Sequence, residues 1–420
     1  MTMHPILAAL RRHKAGVFLI GLQIALTLAI VCNVIFIVGQ RIQRIQRPTG
    51  LVENDLFLIR QSYVGAPTGS NGASLEKLDS LQLTDLAALR GLPDVQSATP
   101  VNSLPLLREN WIQEVSLKPG QPHGMTDVNI FYGDQQMLPA LGLRLIAGRD
   151  FTIADVRHRA LGGRIDPPAV IVTHALADRL FPHGDALGKP IYINNNTAPS
   201  TIVGVVARML TSDPDGWDSI AWDAMLIPAR NDAVSTLYAV RARPGRMQAA
   251  MREVRNALFT VDPMRVIQQG GSYDSSGIHS FAEIHSMGYA LDIFMAQVLT
   301  TISVILLVIT GVGMAGLTSF WVNQRYKQIG IRRALGARKV DILRYFQAEN
   351  LLIAGGGCLA GVTLALAINL TLMRAFAMNR MPAWYVVVGV VVVLALGQFA
   401  VFVPARRASN VPPVVATRSV

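Results

Sequence analysis

Charge is scarce in this chain: Asp, Glu, Lys and Arg make up 15% of its 420 residues, against about 25% in ordinary soluble domains. Cysteine is scarcer, with only Cys32 and Cys358, and both lie inside long apolar runs. A disulfide framework in the polar part of the chain is thereby excluded, and cysteine usage does not report its redox compartment. Nucleotide-binding chemistry is missing too. No G-x-x-x-x-G-K-[ST] loop occurs, so no Walker A cradle for phosphates exists. Neither an H-E-x-x-H zinc helix nor a G-x-S-x-G nucleophile elbow is found. Nothing in the residues points to an enzyme, a bound cofactor or a metal.

What the chain has is grease. Apolar residues make up 51% and the mean hydropathy is +0.36. Four runs are long enough to cross about 30 Å of hydrocarbon: Ala15–Gly39, Ile293–Val322, Leu351–Met373 and Trp384–Val403. A stretch of ordinary soluble composition separates the first from the second. The fold class expected is a membrane protein with four transmembrane α-helices and a large α+β extracytoplasmic domain between spans one and two. A cleaved signal peptide is the poorer reading of the first run. Its apolar length exceeds the usual 7–15 residues, and no small-x-small site follows "VIFIVGQRIQ".

The net charge of +11 invites a nucleic-acid reading, but its distribution argues against one. Pro48 to His285 hold 20 Lys and Arg against 24 Asp and Glu, a net of −4. The remainder carries 18 basic and 3 acidic residues, a net of +15. Basicity therefore belongs to the membrane flanks, not to a soluble module. Lys and Arg favour the cytoplasmic side of short loops. Arg11, Arg12 and Lys14, the seven basic residues of Asn323–Phe346, and Arg406, Arg407 and Arg418 lie on one side; Arg374 and Arg380 lie on the other. Arg41, Arg44 and Arg47 oppose this pattern locally, and the seven-charge loop outweighs them. Both termini are expected in the cytoplasm.

Within the polar stretch, strands are expected at Asp55–Arg60, Pro168–Thr173, Thr201–Ala207 and Thr236–Ala242. Helices are expected at Leu83–Leu92 with Thr84 as N-cap, at His174–Phe181 and at Arg246–Thr260. Pro67–Ser74 and Ser212–Ser219 read as loops. "DPDGWDSIAWD", with Asp213, Asp215, Asp218 and Asp223, puts Gly216 fourth and Ala224 twelfth. An EF-hand needs Gly sixth and Glu twelfth, so a solvated acidic loop is the better reading. His174 and Asp178, one helical turn apart, read as two polar residues on an exposed face. Phe281–Asp292 keeps helical spacing into the second span, so one continuous helix is expected there. With Gly39–Arg47 after the first span, it would form a stalk. Asp292 and Glu349 lie near span ends, where water would reach them.

The most distinctive segment is "NQRYKQIGIRRALGARKVDILRYF", Asn323–Phe346, where Gly330 and Gly336 punctuate dense positive charge and Ile329, Ile331, Leu335, Val340 and Ile342 supply apolar contacts. A short helix beginning near Ala337 would lead into the third span. Basic residues alone suit a loop held against anionic lipid. The apolar residues and glycines suit a docking element for a cytosolic partner equally well. In the third span, Gly357-x-x-x-Gly361 is a small-residue pattern that permits close helix packing.

The loop resembles that of MacB/FtsX-type ABC transporter permeases, whose usual form is R-x-x-E-I-G-x-x-R-A-x-G-A. Leu143–Val156, Pro168–Ile191 and Thr201–Ala207 look like the extracytoplasmic core domain of that family, and "PARRASNVPPVVATRS" like its C-terminal signature. The resemblance implies the domain order 1–14 cytoplasmic, 15–39 span one, 40–288 MacB-like core with helical stalk ends, and 289–322 span two. It continues as 323–346 coupling loop, 347–373 span three, 374–383 outer loop, 384–403 span four and 404–420 cytoplasmic tail, with 247–403 the FtsX-like region. It further implies that Arg325, Lys327, Gln328, Ile329, Gly330, Ile331, Arg332, Arg333, Ala334, Leu335, Gly336 and Ala337 contact a dimeric cytosolic ATPase, which binds ATP and Mg. Gln328 departs from the pattern, which has Glu there, so whatever ion pair that Glu makes in relatives has no counterpart at this position.

Only 14 residues precede the first span, so the ATPase is expected on another polypeptide. A second permease copy or related permease, a periplasmic adaptor, an outer-membrane channel and the lipid bilayer of the bacterial inner membrane complete the implied partners. Export or extraction of peptides, antibiotics or lipoproteins by mechanotransmission is the implied function. The alternative is a signalling scaffold that activates a cell-wall hydrolase or senses antimicrobial peptides.

Overall fold

The computed structural model describes residues 14–69, 71–160, 162–214, 218–267, 277–376 and 379–410. Helix α1 (Lys14–Ile45) opens the chain. There follow β1 (Leu56–Tyr63), α2 (Gly72–Arg90), β2 (Val95–Val101), β3 (Ile112–Ser116), β4 (Thr126–Gly133), α3 (Met137–Leu141) and β5 (Leu145–Gly148). Next come β6 (Arg157–Ala160), β7 (Ala169–Thr173), α4 (His174–Leu180), β8 (Pro190–Ile193) and β9 (Ser200–Val206). The polar stretch ends with β10 (Ala224–Asp232), β11 (Ser235–Ala242), α5 (Met247–Val261), β12 (Arg265–Val266), β13 (Gly277–Ser280) and α6 (Phe281–Gly288). Helices α7 (Ala290–Gln324), α8 (Tyr326–Ala334), α9 (Lys339–Phe376) and α10 (Ala383–Ser409) follow. The chain divides into a helical unit, Met1–Gln46 with Leu291–Val420, and an α/β unit, Arg47–Ala290.

In the helical unit, α1, α7, α9 and α10 are each long and apolar enough to span a bilayer. Helix α1 is the enclosed one: 61% of its apolar window is buried against 11% for α7. Ile20, Ile24, Leu28, Cys32 and Phe36 of α1 pack with Ile353, Ala354, Cys358 and Ala365 of α9 and with Tyr385 and Val393 of α10. Polar side chains also join the helices, as expected where backbone and side-chain groups have no water. Thr27 and Thr310 hydroxyls lie 2.7 Å apart, and Asn33 Nδ2 donates to the Ala365 carbonyl at 3.1 Å.

In the α/β unit, one five-stranded sheet has the order β12-β1-β11-β2, with β13 also on β1. Period-two alternation sends Phe57 and Ile59 of β1 and Tyr238 and Val240 of β11 to one face. There they meet Leu86 and Leu89 of α2 and the Ala250, Val254, Leu258 stripe of α5, which recurs every four residues. The eight-stranded sheet runs β4-β3-β8-β9-β7-β10-β6, with β5 on β9 and a further parallel pairing of β4 to β10. That pairing closes six strands into a ring, which removes their free edges. Its inside is filled by Val115, Val128, Ile130, Val170, Ile191, Ile202 and Met225. Two residues, Ala233 and Val234, carry the chain from β10 in the second sheet to β11 in the first.

Several expectations need correction. The helix expected at Leu83–Leu92 begins at Gly72, capped by Asn71, whose side chain accepts from the Ser74 N–H. Thr84 is mid-helix, its hydroxyl donating to the Ser80 carbonyl at 2.8 Å. The loop expected at Pro67–Ser74 therefore ends three residues early. The helix expected to run unbroken from Phe281 into the second span stops at Gly288; Tyr289 (φ −103°, ψ 11°) separates α6 from α7. Ser280 and Glu283 form a capping box that starts α6. The segment before the third span is one helix with it, beginning at Lys339 instead of near Ala337. Arg11, Arg12, Asp215, Gly216, Arg418 and residues 411–420 lie outside the described residues.

Candidate functional site

The segment joining α7 and α9 is built as a short helix with a closed end. Arg325 (φ −101°) ends α7, and α8 runs from Tyr326 to Ala334. Gly336 takes φ +99°, a conformation open to glycine. The Ala337 N–H donates to the Arg332 carbonyl and the Gly336 N–H to the Arg333 carbonyl, both at 3.1 Å. This pair of bonds is a Schellman cap. Arg338 then receives the Asp341 carboxylate on its backbone N–H at 3.0 Å, which starts α9.

The sequence-identified residues divide into anchors and a free surface. Ile329 and Gly330 are buried; Ile329 packs with Val322, Ile342, Phe346, Val401, Ala405 and Ala408. Arg325 donates to both oxygens of Glu349, at 3.1 and 2.8 Å. Arg333 donates to the Ser409 carbonyl at 2.6 Å, and the Arg332 guanidinium lies 5.2 Å from the Tyr345 ring centre. Lys327, Gln328, Ile331, Ala334, Leu335 and Gly336 are exposed, and Ala337 is half-buried. Ile331, Leu335 and Val340 are thus exposed apolar side chains in a segment rich in cations, with Leu335 at 83%. Ile329 and Ile342, read with them as contact residues, face inward.

Two acids read as reachable by water are not. Glu349 and Asp292 are each only 2% exposed. Glu349 is held by Arg325, and Asp292 by Arg41 of α1. A buried carboxylate needs such a partner, and the partners lie 24 and 251 residues away in sequence. Each was visible as one of the three acids outside Pro48–His285, but not its partner. Gly357 and Gly361 lie against α1: a Cβ on Gly357 would stand 2.9 Å from the Gly21 carbonyl, and on Gly361 3.0 Å from that of Ala25.

Among the described residues, the other sequence candidates do not assemble into one centre. His174 and Asp178 pair with each other at 2.8 Å on an exposed face. Asp218 is bound by Arg47, Asp223 by Arg179, and Asp213 by the Asn110 amide. Among the described residues, Asp79, His158 and Asp232 place ligand-type atoms within 4.8 Å of one another. Arg230 holds both oxygens of Asp79, at 2.7 and 3.0 Å, and His158 Nδ1 lies 2.8 Å from Asp232. A cation therefore already balances this trio. Burial pushes the Asp232 carboxyl up, and the bond from His158 opposes it.

Residues 19–257 match the MacB-like periplasmic core domain and residues 300–413 the FtsX-like permease C-terminal domain. The first match alone covers more than half of the chain, and this protein belongs to the MacB/FtsX-type family of ABC transporter permeases. It is similar to the pyoverdine export ATP-binding/permease protein PvdT of Pseudomonas savastanoi pv. phaseolicola, 27% identical over 81% of this chain and 48% of that protein. The macrolide export ATP-binding/permease protein MacB of Nitrosomonas europaea is 25% identical over 85% of this chain and 50% of its own. The chain spans about half the length of these relatives. The crystal structure of the periplasmic region of MacB from Actinobacillus actinomycetemcomitans matches 58% of this chain at 15% identity and a TM-score of 0.34.

Proposed function

We propose that this chain is the membrane subunit of an ATP-driven export machine of the bacterial inner membrane, in which a separate cytosolic ATPase dimer supplies ATP and Mg chemistry and α8 is the coupling element. The observation that carries the proposal is the split in the segment from Arg325 to Val340, which holds α8 and the start of α9. Its inner face is fixed by Ile329 and the Arg325–Glu349 pair, while Ile331, Leu335 and Val340 stay uncovered among Lys327, Arg332, Arg338 and Lys339. Exposed apolar side chains interspersed with cations along a segment whose inner side is fixed suit docking on a protein groove. The positive charges also suit a cytoplasmic position, with both termini inside and 40–288 in the periplasm.

ATP-driven closure of the ATPase would move α8 and with it α7 and α9. Such packed helices have discrete arrangements that can carry motion to the α/β domain. Peptides, antibiotics or lipoproteins already outside the membrane are the proposed substrates, moved by a pair of permeases working with a periplasmic adaptor and an outer-membrane channel. The FtsX-like and MacB-like domain matches and the export names of the relatives support this reading.

The test is co-purification of the ATPase with the full chain carrying Leu335→Asp and Arg332→Glu together, followed by ATP hydrolysis in lipid. Loss of the ATPase from a folded permease is the expected result. Unchanged assembly and hydrolysis would remove α8 as the docking element. Arg333 is unsuited to this test, because its bond to the Ser409 carbonyl gives it a structural role.

A further inference from the structure

The edge of a sheet is a row of unpaired N–H and C=O groups, ordinarily guarded by charge, proline or burial. Among the described residues, most edges of the α/β unit are guarded. Strand β6, which ends the eight-stranded order, carries Arg157, His158 and Arg159. In the other sheet β2 contains Pro100, β2 and β13 are largely buried, and β12 has two residues. Strand β5 differs. Among the described residues it pairs with β9 alone, its sequence is Leu-Ile-Ala-Gly, and Ile146, Ala147 and Gly148 are exposed. Its register passes from Leu145↔Val206 to Ala147↔Val205, which leaves Ile146 outside the ladder as a bulge.

A groove of about 300 Å³ lies against this strand. Ala147 and its cross-strand partner Val205 line it from the sheet, Ala177 and Phe181 from α4, and Leu187 from the loop that follows. Ile146 and Leu187, both in the lining, are 43% and 40% exposed. The charged side chains of the lining are Asp178 and Asp185, both acids. His174 lies 2.8 Å from Asp178 and Lys189 lies 3.6 Å from Asp185, yet the two acid side chains remain 64% and 77% exposed. The stretch Pro48–His285 is itself net −4. An unguarded edge beside an apolar groove with acidic margins is the complement of an extended peptide. Its main chain would pair with β5, one apolar side chain would enter the groove, and flanking cations would meet the acids. The bulge and the four-residue length of β5 suit a short segment.

We infer that β5 binds a short, free cationic peptide, which adds to the sheet as a further strand with an apolar side chain in the groove. The inference does not depend on the coupling role proposed for α8, and its test needs no nucleotide. The probe is acetyl-Lys-Thr-Leu-Thr-Lys-amide, in which alternation puts leucine and both lysines on one face. It is titrated calorimetrically into the full-length protein in lipid nanodiscs, beside the same peptide methylated at every backbone nitrogen. The methylated peptide keeps its charges and its leucine and loses its main-chain donors. Saturable binding is expected, at least ten-fold weaker for the methylated peptide, and hydrogen exchange of amides within Leu145–Gly148 should slow when the parent peptide binds. Asp178→Lys with Asp185→Lys, both at exposed positions, should weaken binding at least ten-fold with the unfolding temperature unchanged. If that variant fails to fold, the methylated peptide and the exchange measurement decide. Absence of saturable binding, equal binding of the two peptides, unchanged exchange at β5, or full binding by the folded variant overturns the inference.

Discussion

The guanidinium of Arg325, where α7 gives way to α8, donates to both carboxylate oxygens of Glu349 on α9, and both side chains are nearly closed to solvent, at 13% and 3%. The pair ties the base of the exposed α8 surface to the helix that follows it. Charge inside a membrane-embedded bundle is costly unless it is paired. The bond is therefore a positional lock, and loss of either partner leaves the other buried and uncompensated.

Glu349→Gln is accordingly expected to destabilise the helical unit by about 3–5 kcal/mol, the usual cost of breaking a buried pair from one side. The reversed pair, Arg325→Glu with Glu349→Arg, should regain part of that loss. Thermal unfolding of the detergent-solubilised protein checks both. Equal stability of the single variant and the parent would show that water, not Arg325, satisfies Glu349.

The fold was legible where the pattern is local. The four spans follow from uninterrupted apolar runs, and strands β1, β7, β9 and β11 lie within a few residues of their expected positions because alternation and β-branching mark them. The start of α2 was missed because "SNGAS" reads as a turn until Asn71 is seen accepting from Ser74. The break at Tyr289 was missed because apolar periodicity continues across it, with Gly288 the one local hint. The closure of β4 on β10 and the pairing of Arg325 with Glu349 join residues far apart in sequence, and one sequence records no such contacts. For α8, the motif marked the segment but not which of its apolar residues face inward.

A second buried pair stabilises the α/β unit. Asp85 on α2 and Arg265 on β12 meet through two bonds of 2.9 Å, with both side chains wholly buried. Asp85 also accepts from Gln61 and Tyr63, each at 2.7 Å, and from Tyr238 at 3.1 Å. Burial, with the nearby Asp85 charge, pushes the Tyr63 hydroxyl well above its ordinary range, so it remains a donor. Asp85→Leu alone should cost about 3–5 kcal/mol, and Asp85→Leu with Arg265→Met distinctly less, because two apolar groups leave no stranded charge. Denaturant unfolding of the two variants provides the comparison.

At the α1–α9 contact, Gly357→Ala places a methyl against the Gly21 carbonyl and Ile24, each at 2.9 Å. Neither the backbone nor a packed Ile yields cheaply. A loss of about 1–3 kcal/mol is expected, as for other overpacked sites. Gly355→Ala, with nothing within 4 Å of its Cβ, is the control. Equal unfolding temperatures for the two would show that α1 and α9 are not in close contact.

Acid should weaken the loop at Arg149–Asp155 in a defined direction. The Arg149 guanidinium holds the Asp155 carboxyl far below its ordinary range, and the Thr152 N–H adds to this against a partial burial penalty. Asp155 accepts from Arg149 at 2.7 and 3.0 Å and from the Thr152 N–H at 2.8 Å. A depressed folded value means the native state binds fewer protons than the unfolded chain. The stabilisation is therefore complete above the unfolded carboxylate value of about 3.9 and is lost as pH falls from there through the folded value. Arg149 is half-exposed, so solvent screening keeps the effect small. Hydrogen exchange of the Thr152 and Asp155 amides should quicken, relative to neighbouring β9 amides, between about pH 4 and about pH 2. In Asp155→Asn the loop should already exchange at the faster relative rate at neutral pH and show no further acid step; a persisting step would assign the acid sensitivity to another carboxylate.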